Sequence, residues 1–198
     1  MSVTVTSIRP ANSRWALGSR AMVTRVERSY EYIGPAELTR LVNPEATGQV
    51  VASLADFSAW VAGRTAAELE EPFTFVIDVR ECLRLAARRS EHVVCADGQH
   101  VLGAGEIGFE RTAEGWEVAQ VSNQSTGYCP DVASWEAVAA ALDRVGLARP
   151  AGFTQEVLFR RCPECGELNV VREEFFECAF CESDLPVEWN VVPIASQG

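Results

Sequence analysis

The chain has 198 residues, a formal net charge of −11 and a pI near 4.7, and 47% of its residues are hydrophobic. An acidic chain is a poor partner for nucleic acid or anionic lipid, because both are themselves negatively charged. The length is sufficient for one well-packed domain with a small additional unit. The mean hydropathy is +0.00, and no uncharged apolar run reaches the roughly 18 residues of a membrane span. These properties predict a soluble protein.

The cysteine content predicts a reducing cytoplasm. Four of the seven cysteines lie in a C-terminal motif, which leaves Cys82, Cys95 and Cys129. An odd, scattered remainder does not form a disulfide framework, so we expect these three to be buried free thiols. The first residues have no apolar core of the kind that a signal peptide requires. All seventeen basic residues are arginine, a usage that indicates a GC-rich bacterial genome.

The positive charge is concentrated at the start of the chain. Residues 1–28 carry five Arg and one Glu, whereas the rest carries twelve Arg and 27 acidic residues. Residues 1–20, which include Trp15, are therefore predicted to form an irregular basic arm. We expect this arm to pack loosely on the body, with docking to an acidic partner as the alternative.

Residues 21–155 are predicted to form an α+β body with a mainly antiparallel sheet and about three helices. The first predicted element of the body is a strand at Met22–Ile33, which a Gly-Pro pair ends. A helix at Ala36–Val42 follows it. A second helix is predicted over 49–62, because four apolar residues recur there at helical spacing. These are Val50, Leu54, Phe57 and Val61.

Strands dominate the middle of the body. Phe73–Val79 is a nearly continuous apolar run that predicts a buried central strand. Cys82–Ala87 and His92–Ala96 are predicted as short strands. Val101–Phe109 and Trp116–Val121 form the clearest hairpin pattern.

The last predicted helix begins at Ser134 as its N-cap and ends at Gly146. Within the preceding hairpin, GAGEIG matches the glycine pattern of dinucleotide-binding loops, but no helix follows it as that mechanism requires. We expect the glycines to let another backbone or a ring approach the strand. A strand at Val157–Phe159 then leads into the C-terminal motif.

That motif consists of two Cys-x-x-Cys knuckles, Cys162/Cys165 and Cys178/Cys181. Each knuckle presents two sulfurs to one side, and the two knuckles together can close a tetrahedral four-sulfur cage suited to Zn²⁺. Gly166 follows the first knuckle, where a sharp turn favours a residue without Cβ. Two short strands, Leu168–Arg172 and Phe175–Cys178, are predicted between the knuckles.

Residues 158–190 resemble the zinc-ribbon superfamily, and we assign residues 156–192 to a zinc ribbon. The resemblance implies Zn²⁺ as the cofactor. Between residues 156 and 190 there are three Arg and nine acidic residues. The ribbon would therefore repel the phosphates of nucleic acid everywhere except near Arg160–Arg161, and the sequence disfavours nucleic acid as a partner. A structural role, or a surface for another protein, is favoured, with the aromatic residues of the ribbon as contacts. These are Phe175, Phe176, Phe180 and Trp189.

The polar loop Ser122–Asp131, called here the 122–131 loop, is the other candidate site. Loops between a strand and a helix often bind ligands, although side chains of this kind also cap helices. The candidate residues in and near the loop are His92, Glu106, Asn123, Ser125, Tyr128 and Cys129. His92, Glu106 and Cys129 can be combined into a thiol–imidazole–carboxylate arrangement. The sequence thus favours a non-catalytic, zinc-binding component of a bacterial multiprotein system, and an enzyme or ligand-binding domain is the alternative.

Overall fold

The computed structural model describes residues 28–43, 45 and 47–192. This part of the chain is α+β, with five α-helices and seven strands. The helices are α1 (Ala36–Thr39), α2 (Leu54–Ala62), α3 (Ala66–Leu69), α4 (His92–Cys95) and α5 (Trp135–Val145). The strands are β1 (Gln49–Val51), β2 (Phe73–Asp78), β3 (Leu83–Ala86), β4 (Val101–Arg111), β5 (Trp116–Val121), β6 (Leu158–Arg161) and β7 (Leu168–Val171). The predicted number of about three helices was too low, because the four-residue helices α3 and α4 were not among the predicted ones.

The main sheet has the strand order β1-β3-β2-β4-β5, and all four pairings are antiparallel. β2 lies at its centre, and all six residues of this strand are buried. The prediction of a buried central strand is therefore confirmed. A continuous apolar run is typical of a strand that is covered on both faces.

Different elements cover the two faces of the sheet. Phe73 of β2 faces α2 and α5, in a core cluster where its ring lies 4.6 Å from that of Trp60. Val76 belongs to the opposite cluster, together with Cys95 of α4 and Tyr128 of the 122–131 loop. The loop is thus part of the second core and does not lie free on the surface.

The predicted helix over 49–62 is correct only from Leu54 onward. Ser53 caps α2, since its side chain accepts a hydrogen bond from the backbone N–H of Asp56. The carboxylate of Asp56 accepts the N–H of Ala52 in return. The chain before this cap forms β1, which pairs with β3 at the edge of the sheet. A cap dictates where a helix begins even when apolar spacing continues through it.

The prediction of a strand at His92–Ala96 is wrong, because these residues form α4. Val93, Val94 and Cys95 are all buried, so side chains do not alternate between core and solvent there. A tight turn follows α4, with positive φ at Asp97 and Gly98. A short apolar run fits a buried helix as well as a buried strand.

Close backbone packing explains one glycine of the GAGEIG segment. A Cβ atom at Gly105 would lie 1.9 Å from the carbonyl oxygen of Ser122. The glycine therefore lets the backbone of the 122–131 loop approach β4 closely, as expected from the sequence.

A 3-10 turn at Val132–Ser134 precedes α5, and the Asp131 side chain caps that turn. Ser134 occupies the N-cap position of α5, as predicted, but its side chain makes no capping hydrogen bond. Gly146 ends α5 in a left-handed conformation, as predicted.

The predicted arm at 1–20 and the first residues of the strand Met22–Ile33 lie outside the described residues. From Arg28 onward, Tyr30 makes an isolated antiparallel bridge to Val101. None of the helices in the described ranges has the length and hydrophobicity needed to cross a membrane.

Candidate metal centre

The four cysteines of the knuckles come together at the end of a two-stranded sheet. β6 and β7 are antiparallel, and the first knuckle forms the turn between them. The predicted strand Leu168–Arg172 is thus essentially β7, but its partner is β6. The segment Phe175–Cys178 contributes only isolated bridges, from Phe175 to Arg172 and from Glu177 to Asp184.

The four Sγ atoms lie within 4.8 Å of one another. Two of the separations, Cys162 to Cys181 and Cys165 to Cys178, are 3.6 Å. Bonded sulfurs would lie about 2.05 Å apart, so these are free thiols facing one point. Cys162 and Cys178 are buried, whereas Cys165 and Cys181 are exposed. This cluster can hold a metal ion.

The two knuckles have the same backbone hydrogen bonds. In the first, Gly166 donates its N–H to the carbonyl of Cys162, and Cys162 donates to the carbonyl of Glu167. In the second, Glu182 donates to Cys178, and Cys178 donates to Ser183. Each knuckle is therefore a closed turn that fixes its first cysteine at both the N–H and the carbonyl. This equivalence was not recognised from the sequence, where only the spacing of the cysteines repeats.

Asn169 of β7 supports the second knuckle from the strand. Its side-chain amide donates to Cys178 Sγ at 3.5 Å, and its carbonyl oxygen accepts the N–H of Ala179 at 2.9 Å. The Asn169 side chain is buried. Hydrogen bonds of this kind orient metal ligands and stabilise a thiolate. No local pattern in the sequence marks Asn169 as a partner of the metal ligands, because only the fold brings β7 against Cys178.

Hydrogen bonds around the second knuckle also favour ionised sulfur. Burial by itself raises the pKa of Cys178, but N–H groups of Phe180 and Cys181, with Asn169, lower it to about 6 overall. The Ser183 side chain and backbone lower the pKa of Cys181. Thiolates are the form in which cysteine binds metal, so this environment prepares the second knuckle for a cation.

Arg160 is buried in the ribbon, and no carboxylate is among its hydrogen-bond partners in the described residues. Its guanidinium donates to the carbonyls of Phe159, Pro186 and Val187, at distances between 2.5 and 3.2 Å. Loss of hydration lowers the pKa of this arginine. The Arg161 side chain donates to the carbonyl of Gly166 at 2.8 Å. Both side chains therefore form hydrogen bonds within the ribbon, and Arg160 is not available on the surface.

The 122–131 loop joins the ribbon to the body. The buried Asn123 side chain accepts the N–H of Val157 at 2.7 Å and donates to the carbonyls of Val157 and Pro130. Trp189 of the ribbon donates its indole N–H to the carbonyl of Cys129 at 2.9 Å. These bonds seat the strand that enters the first knuckle.

The other candidate residues of this loop are also buried in the protein. Ser125 is buried, and its hydroxyl has no hydrogen-bond partner among the described residues. The Tyr128 hydroxyl donates to the carbonyl of Gln99 at 2.6 Å. The Cys129 thiol donates to the carbonyl of Thr126, and burial raises its pKa to about 12. Such a thiol remains protonated near neutral pH.

His92 and Glu106 lie outside the loop, in α4 and on β4. The Nε2–H of neutral His92 donates to the carbonyl of Gly105 at 3.0 Å, and burial lowers the pKa of the imidazole. Glu106 is exposed on β4. In the described part of the chain, no hydrogen bond joins any two of the His92, Glu106 and Cys129 side chains.

Two exposed residues of the 122–131 loop were not selected from the sequence. Gln124 and Thr126 are exposed, whereas Asn123 and Ser125 point inward. On the ribbon, two of the four aromatic residues expected as contacts, Phe175 and Phe180, are 64% and 65% exposed, whereas Phe176 and Trp189 are partly buried. The alternation of side chains along an extended segment was the available signal for the first pair.

The chain was compared with protein-family models, with curated proteins and with solved structures, and none of the three comparisons found a match.

Proposed function

We propose that the chain is a zinc-binding, non-catalytic docking protein in which the C-terminal ribbon presents a surface to another protein. The single observation that carries this proposal is the combination of the four-cysteine cluster with two strongly exposed phenylalanines, Phe175 and Phe180, on the same small unit. Aromatic side chains are enriched at the centres of protein–protein interfaces and often anchor them.

Zinc is the ion that we propose for the cluster, because a tetrahedral set of thiolates suits it. A tetrahedron of sulfurs with Zn–S bonds of about 2.3 Å has edges of about 3.8 Å, close to the two separations of 3.6 Å. Cys162, Cys165, Cys178 and Cys181 would hold the ion. Four protein ligands leave no open coordination position, which favours a structural site over a catalytic one.

Charge supports a protein partner over nucleic acid. Residues 162–192 carry eight acidic residues and one arginine, a net charge of −7, and four thiolates around Zn²⁺ add a formal −2. Phosphate would be repelled by this surface. The alternative, an enzyme or ligand-binding site centred on the 122–131 loop, has weaker support because the Asn123, Tyr128 and Cys129 side chains are buried and donate hydrogen bonds to backbone carbonyls.

The metal part of the proposal is tested by elemental analysis of the purified chain. We expect one zinc per chain, and loss of that zinc on Cys178→Ala. Stoichiometric zinc in this variant would contradict the ligand assignment, and iron in place of zinc would contradict the choice of metal.

The docking part is tested by capture of partners from the native host with intact protein and with Phe175→Ser/Phe180→Ser. Leu41→Ser/Val79→Ser is the matched control, since Leu41 and Val79 are similarly exposed on the body, at 55% and 54%. We expect a partner that is lost with the ribbon variant and retained with the control. A partner that binds both variants equally would place the docking surface elsewhere.

A further inference from the structure

A groove of about 620 Å³ lies between the ribbon and the body. Three segments line it: the exposed side of the 122–131 loop, the connection at 155–159, and β7 with the turn that follows it, at 170–174. The volume lies in the range of about 300–1,000 Å³ that is typical of formed ligand sites. The groove is therefore large enough to accept part of another molecule.

The wall of the groove is partly apolar and accessible. Val157 and Leu158 are partly buried, and Val170 is 45% exposed. Gln124 and Thr126 add polar side chains on the body side. An apolar surface with nearby hydrogen-bonding groups suits a peptide better than it suits a fully polar ligand.

The rim of the groove is acidic. Glu156, Glu173 and Glu174 are exposed and line it, and Arg172 is the cation among the lining residues, which leaves a net charge of −2. The ribbon beside it is also strongly acidic. A cationic occupant is complementary to this field, whereas an acidic peptide or a nucleic acid is repelled.

The walls are held in place by hydrogen bonds that do not require an occupant. Asn123 fixes Val157 at both its N–H and its carbonyl. Ser122 and Gln155 form a parallel bridge, and β6 pairs with β7 along the other wall. A surface that is already ordered loses less entropy when it binds.

We propose that this groove binds an extended segment of a partner protein in which an apolar side chain is flanked by arginine or lysine. The apolar side chain would contact Val157 and Val170, and the cations would lie beside Glu173 and Glu174. This inference rests on the proposed docking function, and it names where the partner binds and what chemistry the partner carries.

The test selects binders from an mRNA-displayed library of random dodecapeptides on the zinc-loaded full chain. We expect enrichment of sequences with Arg or Lys next to an apolar residue. Resynthesised peptides should bind Glu173→Lys/Glu174→Lys about tenfold more weakly, because each exposed ion pair contributes a few-fold in affinity. Glu110→Lys/Glu114→Lys makes the same charge change at exposed positions of the body outside the groove and should leave affinity within about twofold.

Zinc content and thermal unfolding of both variants show whether the fold is intact, and Val170→Asp provides a second change in the groove that should abolish binding. The proposed binding site is contradicted if acidic peptides are enriched, if no peptide is enriched, or if both charge variants weaken binding equally. Binding that requires Phe180 but neither Glu173 nor Glu174 also overturns it, while leaving the docking function in place. If a synthetic peptide of residues 1–27 saturates the groove, the occupant is a segment of this chain itself. That result would contradict the proposal of a partner protein.

Discussion

Gly166 and Glu182 hold equivalent positions in the two knuckles of the ribbon. Each donates its backbone N–H to the carbonyl of the cysteine four residues earlier, at 3.0 Å and 2.9 Å. Both have positive φ, 78° for Gly166 and 61° for Glu182. Glycine adopts this conformation without steric cost, whereas a residue with a Cβ atom does not. The second knuckle is therefore the more strained of the two.

This difference predicts opposite effects for two substitutions. Glu182→Gly should stabilise the ribbon by about 0.5 kcal/mol, because relief of the left-handed strain slightly exceeds the added chain entropy. Gly166→Ala should destabilise it by about 1 kcal/mol for the same reason. Thermal unfolding of the zinc-loaded protein measures both effects. Glu164→Gly is the control, since its φ is not positive, and an equal gain from this control would contradict the explanation.

Asn169 is predicted to determine zinc affinity without binding the ion. Asn169→Leu removes the hydrogen bond to Cys178 Sγ and the one from Ala179 N–H while keeping a similar volume. The zinc Kd should rise by about 10- to 100-fold, as for other groups that orient metal ligands. Competition with a chromophoric chelator measures the change. Val170→Ala, at the next position of β7, should leave the Kd nearly unchanged, and equal effects of the two substitutions would contradict the role of Asn169.

Cys129 is predicted to be unreactive. Burial raises its pKa to about 12, so only about one thiol in 10⁵ is ionised at pH 7. Iodoacetamide should therefore label Cys82, which is partly exposed, well before Cys129 in the zinc-loaded protein. Peptide mass mapping over time gives the two rates. Fast labelling of Cys129 would favour the enzyme alternative, since a nucleophilic thiol must ionise readily.

His92 is predicted to make stability depend on pH. Burial lowers the pKa of the imidazole in the folded state, so the unfolded chain binds more protons once the pH falls below about 6.5. The contribution is present above that pH and is lost as the pH falls through the folded-state pKa. When the pH is lowered from 7.5 to 5.5, the free energy of unfolding should therefore fall less for His92→Gln than for the native protein.

Denaturant unfolding at the two pH values tests this prediction. His100→Gln is the matched control, because His100 is the second of the two histidines and is exposed. Comparison of variants removes the common effect of metal loss at low pH. An identical pH dependence for His92→Gln and His100→Gln would contradict the prediction.

Sequence patterns were sufficient where local chemistry decides the structure. The apolar run of β2, the hairpin of β4 and β5 and the stop of α5 at Gly146 follow from residue types over a few positions. The patterns were insufficient where short segments fit two structures. His92–Cys95 is helical and Gln49–Val51 is an edge strand, because packing against the sheet and a cap at Ser53 outweigh weak local preferences.

The sequence by itself determined that four cysteines form two knuckles, because ligand spacing within a turn is a local property. Only the tertiary structure decided which residues surround them. Asn169 lies next to Cys178 because β7 folds back on β6, and Arg160 is buried because the C-terminal segment crosses over it. The 122–131 loop directs Asn123 into the body–ribbon junction and Gln124 into the groove, since neighbouring side chains of an extended segment point in opposite directions. Contacts between residues distant in sequence depend on how the whole chain packs, and no local pattern encodes them.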